Sequence, residues 1–334
     1  MGDEVKRVKK PPVLFEGTQE ILCKVEKVLD SPLLVYWNST RGSVCDNDVS
    51  ALYEVMQRIG GKERFALFIK SNGGSGQAAL RIVNLLRRYT KRLTALIPLE
   101  CASAATMIAI GADDISMGPL AHLTAVDTSI THSLSPVDKD NRRVSVSLDE
   151  LNRTVKLWKE ETTKTDKNPY EALFQYVHPL VIGAIDRSES LSIRICEEIL
   201  SYHIEETETI RQISNQLNSN YPSHDYPITL REARRIGLET NALDPQTNSL
   251  LLEMNKLYSE MGQDAITDYD EHNYHTNTIL NIIEGNNIQV FYQNDVDWHY
   301  LKEERRWRST NDDSTWQIIG KVKGKVVKSR LHIN

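Results

Sequence analysis

The chain has 334 residues, enough for one large domain and an addition, and its 26% charged and 40% hydrophobic residues are those of an ordinary globular protein. A net charge of −6 argues against bulk affinity for nucleic acid. Cys23, Cys45, Cys101 and Cys196 are widely spaced with no CxxC pair, which argues against a zinc ribbon or a disulfide framework and fits reduced thiols in a cytoplasm.

The first residues are charged and run into Pro11-Pro12, so 1–14 reads as a flexible arm with no secretory signal. Thr18 to Leu29 places Ile21, Leu22, Val25 and Val28 on one helical face. Leu33 to Trp37 is a buried strand, and Asp46 to Ile59 a helix capped by Asp46 or Asn47 and ended by Gly60-Gly61. Phe65 to Ile69, then Gln77 to Tyr89, repeat the strand-helix pattern. Leu93 to Leu99, with a helix from Ser103 to about Gly111, repeats it again. Thr94 to Ala112 is nearly apolar, but Pro98, Glu100 and Ser103 make it a buried strand-turn-helix, so no membrane anchor is expected. Such alternation implies parallel strands joined by right-handed crossovers.

Asp114 to Met117 and Leu123 to Val126 read as short strands, and Thr128 to Arg143 as a polar loop fit to cover a site. Leu148 to Lys159 is helical. His178-Pro179 opens a long helix that offers an oligomer contact. Thr229-Leu230-Arg231-Glu232 has the form of a capping box. After a helix over Leu250 to Met261, the carboxylates Asp264, Asp268, Asp270 and Glu271 suggest an acidic linker over 263–275. Residues 276–334 alternate like strands, hold three of the five tryptophans and read as a small β-rich appendage; 15–262 is then the main domain.

Two turns carry the chemistry. In Ser71-Asn72-Gly73-Gly74-Ser75, glycines allow positive φ and close approach of N–H groups to a ligand oxygen; a plain αL turn is the simpler reading. In Ala102-Ser103-Ala104-Ala105, the serine stands at a helix start, where the Ala104 N–H and the helix dipole would face whatever the serine attacks. Backbone donors aimed at an oxyanion supply up to about 3–4 kcal/mol each. Each turn alone is weak, and their succession is the signal.

Together these turns resemble the oxyanion loop and nucleophile of the Clp protease and signal peptide peptidase A superfamily, and more closely the serine dehydrogenase proteinase family. Leu33 to Trp37, Met117-Gly118 to Val126-Asp127, His178-Pro179-Leu180, Tyr226-Pro227-Ile228, Glu232-Ala233 and Gly237-Leu238 add to the likeness, which spans roughly residues 15–245. The resemblance implies an α/β fold, the Clp/crotonase-like ββα superhelix. It also implies a serine peptidase that acts through an acyl-enzyme on Ser103, with Gly73, Gly74 and Ala104 forming the oxyanion hole. No cofactor is implied. A peptide or protein substrate and a homo-oligomer are.

The base is the open position. Clp subunits carry a histidine a short way after the serine; that point falls here at Asp127-Thr128, flanked by His122 and His132, so that triad does not transfer intact. Signal peptide peptidase A uses a more distant lysine, and Lys156 stands at a comparable place. His178 resembles a recurrent His-Pro of the dehydrogenase proteinases. Asp127 either orients a base or closes a turn. His272 and His275 beside Asp268 and Asp270 lack a helical register, so no metal site is expected. From Lys302 to Asn334 nine Lys/Arg stand against four Asp/Glu, read as one solvated hairpin face or as a dock for an acidic partner. Two other functions fit the fold: a non-proteolytic assembly or binding protein, and crotonase-type acyl-CoA chemistry.

Overall fold

The computed structural model describes residues 7–126, 129–139, 142–161, 168, 171, 173–322 and 324–333. It is a mixed α/β structure of two compact units, Met1–Leu123 with Pro227–Asn334, and Thr124–Tyr226.

The first unit opens with α1 (Phe15–Leu29), β1 (Leu33–Asn38), α2 (Asp46–Ile59), β2 (Lys62–Lys70), α3 (Gly76–Tyr89) and β3 (Thr90–Ile97). Two-residue β4 (Glu100–Cys101), α4 (Ala104–Ala109), β5 (Asp114–Met117) and two-residue β6 (His122–Leu123) follow. The second unit supplies the short pair β7 (Ser129–Ile130) and β8 (Val146–Ser147), α5 (Leu148–Glu161) and the helices Pro179–Leu200 and Thr207–Ser219. The chain then returns to the first unit through the helix Leu230–Arg235, β9 (Thr240–Ala242) and the helix Pro245–Met261. It ends in β10 (Ala265–Asp270), β11 (Asn273–Gly285), β12 (Ile288–Leu301), β13 (Arg306–Asp312), β14 (Thr315–Val322) and β15 (Lys325–Leu331).

One sheet of eleven strands organises the first unit, in the order β15-β14-β12-β11-β1-β2-β3-β5-β9, with β10 on β11 and β13 on β12. The β1, β2, β3, β5 and β9 strands run parallel, as the strand-helix repeats require. Buried on both faces, β1 reads as a continuous apolar run. Its Leu33, Val35 and Trp37 join Leu22, Val25, Met254, Tyr258, Ile282 and Phe291 in the core under α1 and Pro245–Met261. Tyr36 turns the other way and donates from its hydroxyl to Asp48 of α2 at 2.6 Å.

The C-terminal segment differs from its reading as an appendage. The β11 strand pairs antiparallel with β1, from Val35 opposite Glu284 to Asn38 opposite Asn281, so residues 276–334 extend the main sheet. Within the expected linker, Ala265–Asp270 is a strand on β11 that buries Thr267 and leaves its three acidic and aromatic neighbours Asp268, Tyr269 and Asp270 exposed. Alternation names a strand but not its partner. Part of the expected arm is also placed: the Lys9 N–H donates to Thr267 Oγ1 at 2.9 Å, and Pro11 is buried.

Local ends differ where a side chain finds a better partner. The N-cap of α2 is Cys45, because Asp48 reaches back to the Cys45 N–H at 2.8 Å. Thr229 caps Leu230–Arg235 without a side-chain bond, and Glu232 pairs with Arg235 instead of closing the box. Strand β6 ends at Leu123, short of Val126.

In the second unit Val146, Leu151, Val177, Val181 and Ile185 form a small buried cluster. The expected polar loop contains a tight turn, in which the Asp138 N–H donates to the Arg142 carbonyl and the Val144 N–H to the Pro136 carbonyl, each at 2.8 Å. Among the described residues no helix is long and apolar enough to cross a membrane.

Candidate active site

The glycine loop follows β2 and the serine turn follows β3, at one end of neighbouring parallel strands. They are laced together by backbone bonds: the Ser71 N–H donates to the Glu100 carbonyl at 3.2 Å and the Ala102 N–H to the Ser71 carbonyl at 2.9 Å. The approach is close enough to require glycine. A Cβ on Gly73, whose φ is +99°, would lie 2.6 Å from the Ser103 Cβ and 2.7 Å from the Ala102 carbonyl oxygen.

Ser103 is half-buried and held at φ 52°, ψ −121°, a region L-residues rarely occupy. Asp30, by contrast, has its positive φ in the ordinary left-handed helical well. Strain of this kind costs about 1–3 kcal/mol and persists where the surroundings enforce it. Here the enforcing groups are the laced turns and the Thr106 hydroxyl, which donates to the Cys101 carbonyl at 2.8 Å. Cys101 is fully buried and burial raises its thiol pKa, so it is an inert packing residue and no rival nucleophile. The helix after Ser103 spans only Ala104–Ala109, shorter than expected, which reduces the dipole contribution and leaves individual N–H groups as the donors.

Those donors can be identified. A segment from the loop before α2 lies beside the glycine loop: the Val44 N–H donates to the Gly73 carbonyl and the Ser75 N–H to the Val44 carbonyl, both at 2.8 Å, in a parallel bridge of Val44 with Gly74. Such a bridge turns the N–H and carbonyl of Gly74 itself to the opposite side. Gly74 is exposed, and among the described residues its N–H and that of Ala104 have no acceptor. The Gly73 N–H is satisfied by Ser71 Oγ at 3.1 Å, which makes Gly73 a shaper of the loop.

Lys70 and Glu100, which the sequence reading passed over, stand immediately before the two turns. The buried Lys70 ammonium meets Glu100 Oε1 and donates to the Asn38 carbonyl, both at 3.0 Å, and lies 5.1 Å from the Trp37 ring centre. The pair ties the end of β2 to β4. A lysine closing an apolar strand, with a glutamate at the same place in the next strand-turn unit, was the available signal.

The candidate bases belong to the second unit. His178 is the N-cap of Pro179–Leu200, exposed, with Nδ1 accepting from the Leu180 N–H at 3.2 Å. That bond puts the proton of the neutral ring on Nε2, so a capping His178 has no nitrogen lone pair to spare. Lys156 is exposed on α5, 3.9 Å from Glu160, without the burial that a lysine base requires. Asp127 lies outside the described residues. A cavity of about 570 Å³ opens at the other end of the parallel strands, among Glu63, Arg64, Lys91, Arg92 and Asp114, and has no part in these turns.

No protein-family model matches the chain. Among curated proteins it is similar to two from Methanocaldococcus jannaschii. One is the uncharacterized protein MJ0137, 24% identical over 190 residues, 57% of this chain and 58% of that protein. The other is the uncharacterized protein MJ1495, 25% identical over 190 residues, 56% of each. The chain thus spans little more than half the length of the curated relatives it matches. Among solved structures, a variant of the 1510-N membrane-bound stomatin-specific protease is 14% identical with TM-score 0.38, covering 69% of this chain and 86% of that one. A ClpP1 variant from Listeria monocytogenes is 14% identical with TM-score 0.33, covering 67% and 99%.

Proposed function

We propose that the chain is a serine peptidase-like hydrolase of the Clp and serine dehydrogenase proteinase kind, with the ββα superhelix of that class, acting within the cytoplasm as a homo-oligomer. Ser103 is the nucleophile, and the N–H groups of Gly74 and Ala104 hold the oxyanion. An extended peptide adds as a strand along the exposed side of Gly74, using the N–H and carbonyl that face away from Val44. The observation that carries this reading is the abutment of the glycine loop on a strained, half-buried serine. A packing serine would have no need of either feature.

A second reading has its own observation. The capping bond of His178 and the exposure of Lys156 argue against either of them as a ready base, which favours a latent site or a binding protein that keeps the fold. Labelling of the purified protein by a fluorophosphonate decides between them, with Ser103→Ala, Lys156→Ala and His178→Ala alongside. The peptidase reading expects labelling that disappears in Ser103→Ala and in one of the other two, which names the base. Folded wild-type protein that stays unlabelled overturns it.

A further inference from the structure

The loop between β1 and α2 is the segment on which the glycine loop leans. Its course is set by the C-terminal strands. Between Ile279 and Asn281 the β11 ladder slips by one residue, so Leu280 is a bulge. The Ser39 N–H donates to the carbonyl of that bulged residue at 2.8 Å. Gly42 packs on the same carbonyl, where a Cβ would also come within 2.7 Å of Asn281 Oδ1. Asn281, buried, then donates from Nδ2 to the Ser43 carbonyl at 2.9 Å and to Asp48 Oδ1 at 2.7 Å. Asp48 accepts in turn from the Cys45 N–H and the Tyr36 hydroxyl. Ser43 and Cys45 flank Val44, whose N–H and carbonyl hold Gly73 and Ser75.

We propose that Asn281 is a positioning residue of the site: from a strand of the C-terminal segment it fixes Ser43–Cys45, and through Val44 sets the distance and direction of the Gly74 N–H relative to Ser103. The C-terminal strands thereby belong to the oxyanion machinery through their hold on the Ser43–Cys45 segment. Two features argue against a merely structural bond. Asn281 is a polar residue beside the apolar Ile282 and Ile283, where an apolar side chain would pack without a partner to satisfy. The bulge beside it answers no need of the ladder itself, whose pairing with β1 and β12 runs in register from Asn281 onward. The proposal rests on the peptidase reading for its consequence, but its geometry is testable without catalysis.

Amide hydrogen exchange at Val44 and Ser75 reports the bridge to the glycine loop directly. Asn281→Leu keeps nearly the volume and removes the donor; Gly42→Ala pushes on the same contact from the loop side; Gln293→Ala perturbs the hairpin elsewhere, at its bond to Asn277. Exchange at Val44 and Ser75 is expected to accelerate about tenfold in the first two variants, the loss of roughly one hydrogen bond, and to stay unchanged in Gln293→Ala. With fluorophosphonate, the first two should lower the maximal labelling rate while half-saturation stays constant, since the loop acts on the reacting oxygen and not on ground-state binding. Unchanged exchange in a folded Asn281→Leu or Gly42→Ala protein overturns the proposal, as does failure of both to fold while Gln293→Ala folds. Altered exchange in a protein whose wild type never labels leaves the positioning intact and removes the peptidase reading; labelling with unaltered exchange does the reverse.

Discussion

The turns that would hold an oxyanion and the side chains that would accept a proton are built in contrasting ways. The glycine loop is fixed through Ser71, Gly73 and Ser75 by backbone bonds from three directions, Glu100, Val44 and Ala102, on a sheet of eleven strands. His178 and Lys156 stand exposed on helices of a unit whose described α5 face packs on a cluster of five small aliphatic residues. Rigid donors cost no reorganisation when charge develops, so that half of the chemistry benefits from a stiff scaffold. A general base has to come within hydrogen-bond reach of the proton it takes, a demand that an exposed side chain meets only when a bound substrate tightens its contacts. The contrast identifies the first unit as the part where small substitutions have large effects.

The largest effect is expected at Gly73→Ala. A methyl there meets the Ser103 Cβ and the Ala102 carbonyl, and the residue must also keep a φ near +99°. Overpacking against backbone and conformational strain together predict a loss of about 3–5 kcal/mol, read as a fall in the urea midpoint. Stability within about 1 kcal/mol of wild type would mean that the two turns separate easily, and would erase the contrast.

Asp48 gives the next effect, and its sign is opposite to that of most carboxylates. Burial raises its pKa from 3.8 to about 6, against the hydrogen bonds from Tyr36, Asn281 and Cys45 that favour the charged form. The folded state therefore binds this proton more tightly than the unfolded one. Its contribution is complete below pH 3.8 and is lost as pH rises through about 6, a change of about 3 kcal/mol at 1.4 kcal/mol per unit of pKa. Asp48→Asn should remove that downward slope from unfolding free energies measured between pH 4 and 6. A slope identical in the two proteins would place the titration elsewhere.

What the sequence made legible follows from which interactions are local. Buried parallel strands appear as apolar runs, so β1, β2 and β3 and their helices stand out, and with them the two turns between them. Glycine pairs and a serine at a helix start are equally local. The links that brace the turns are not: Asn281 and Asp48 lie 233 residues apart, and no periodicity connects them. Asp48 looks like any acidic residue in the first turn of a helix, and the pairing of buried Lys70 with half-buried Glu100 is disguised as two surface charges. The acidic residues around 264–271 suggested a linker because composition weighs their charge, whereas an exposed strand face accepts charges freely while Thr267 alone turns inward. Helix capping at Thr229 failed for a similar reason, since Glu232 found Arg235 nearer than the cap.

The smallest effect sharpens the comparison most, because it isolates chemistry from stability. Lys156 makes one i,i+4 contact with Glu160 on a solvated helix face, so Lys156→Ala should change unfolding free energy by no more than about 0.5 kcal/mol. His178→Ala loses an N-cap acceptor and should cost about 1 kcal/mol, partly offset because Pro179 still presets the first turn. Ser103→Gly, by contrast, releases a strained backbone and should gain up to about 1 kcal/mol net of the added freedom of the unfolded chain, while removing all labelling. Thermal denaturation of the three variants beside their labelling rates then separates loss of stability from loss of chemistry. A variant that keeps its stability and loses its label has lost a reacting group, and Lys156→Ala is the one in which no structural explanation competes.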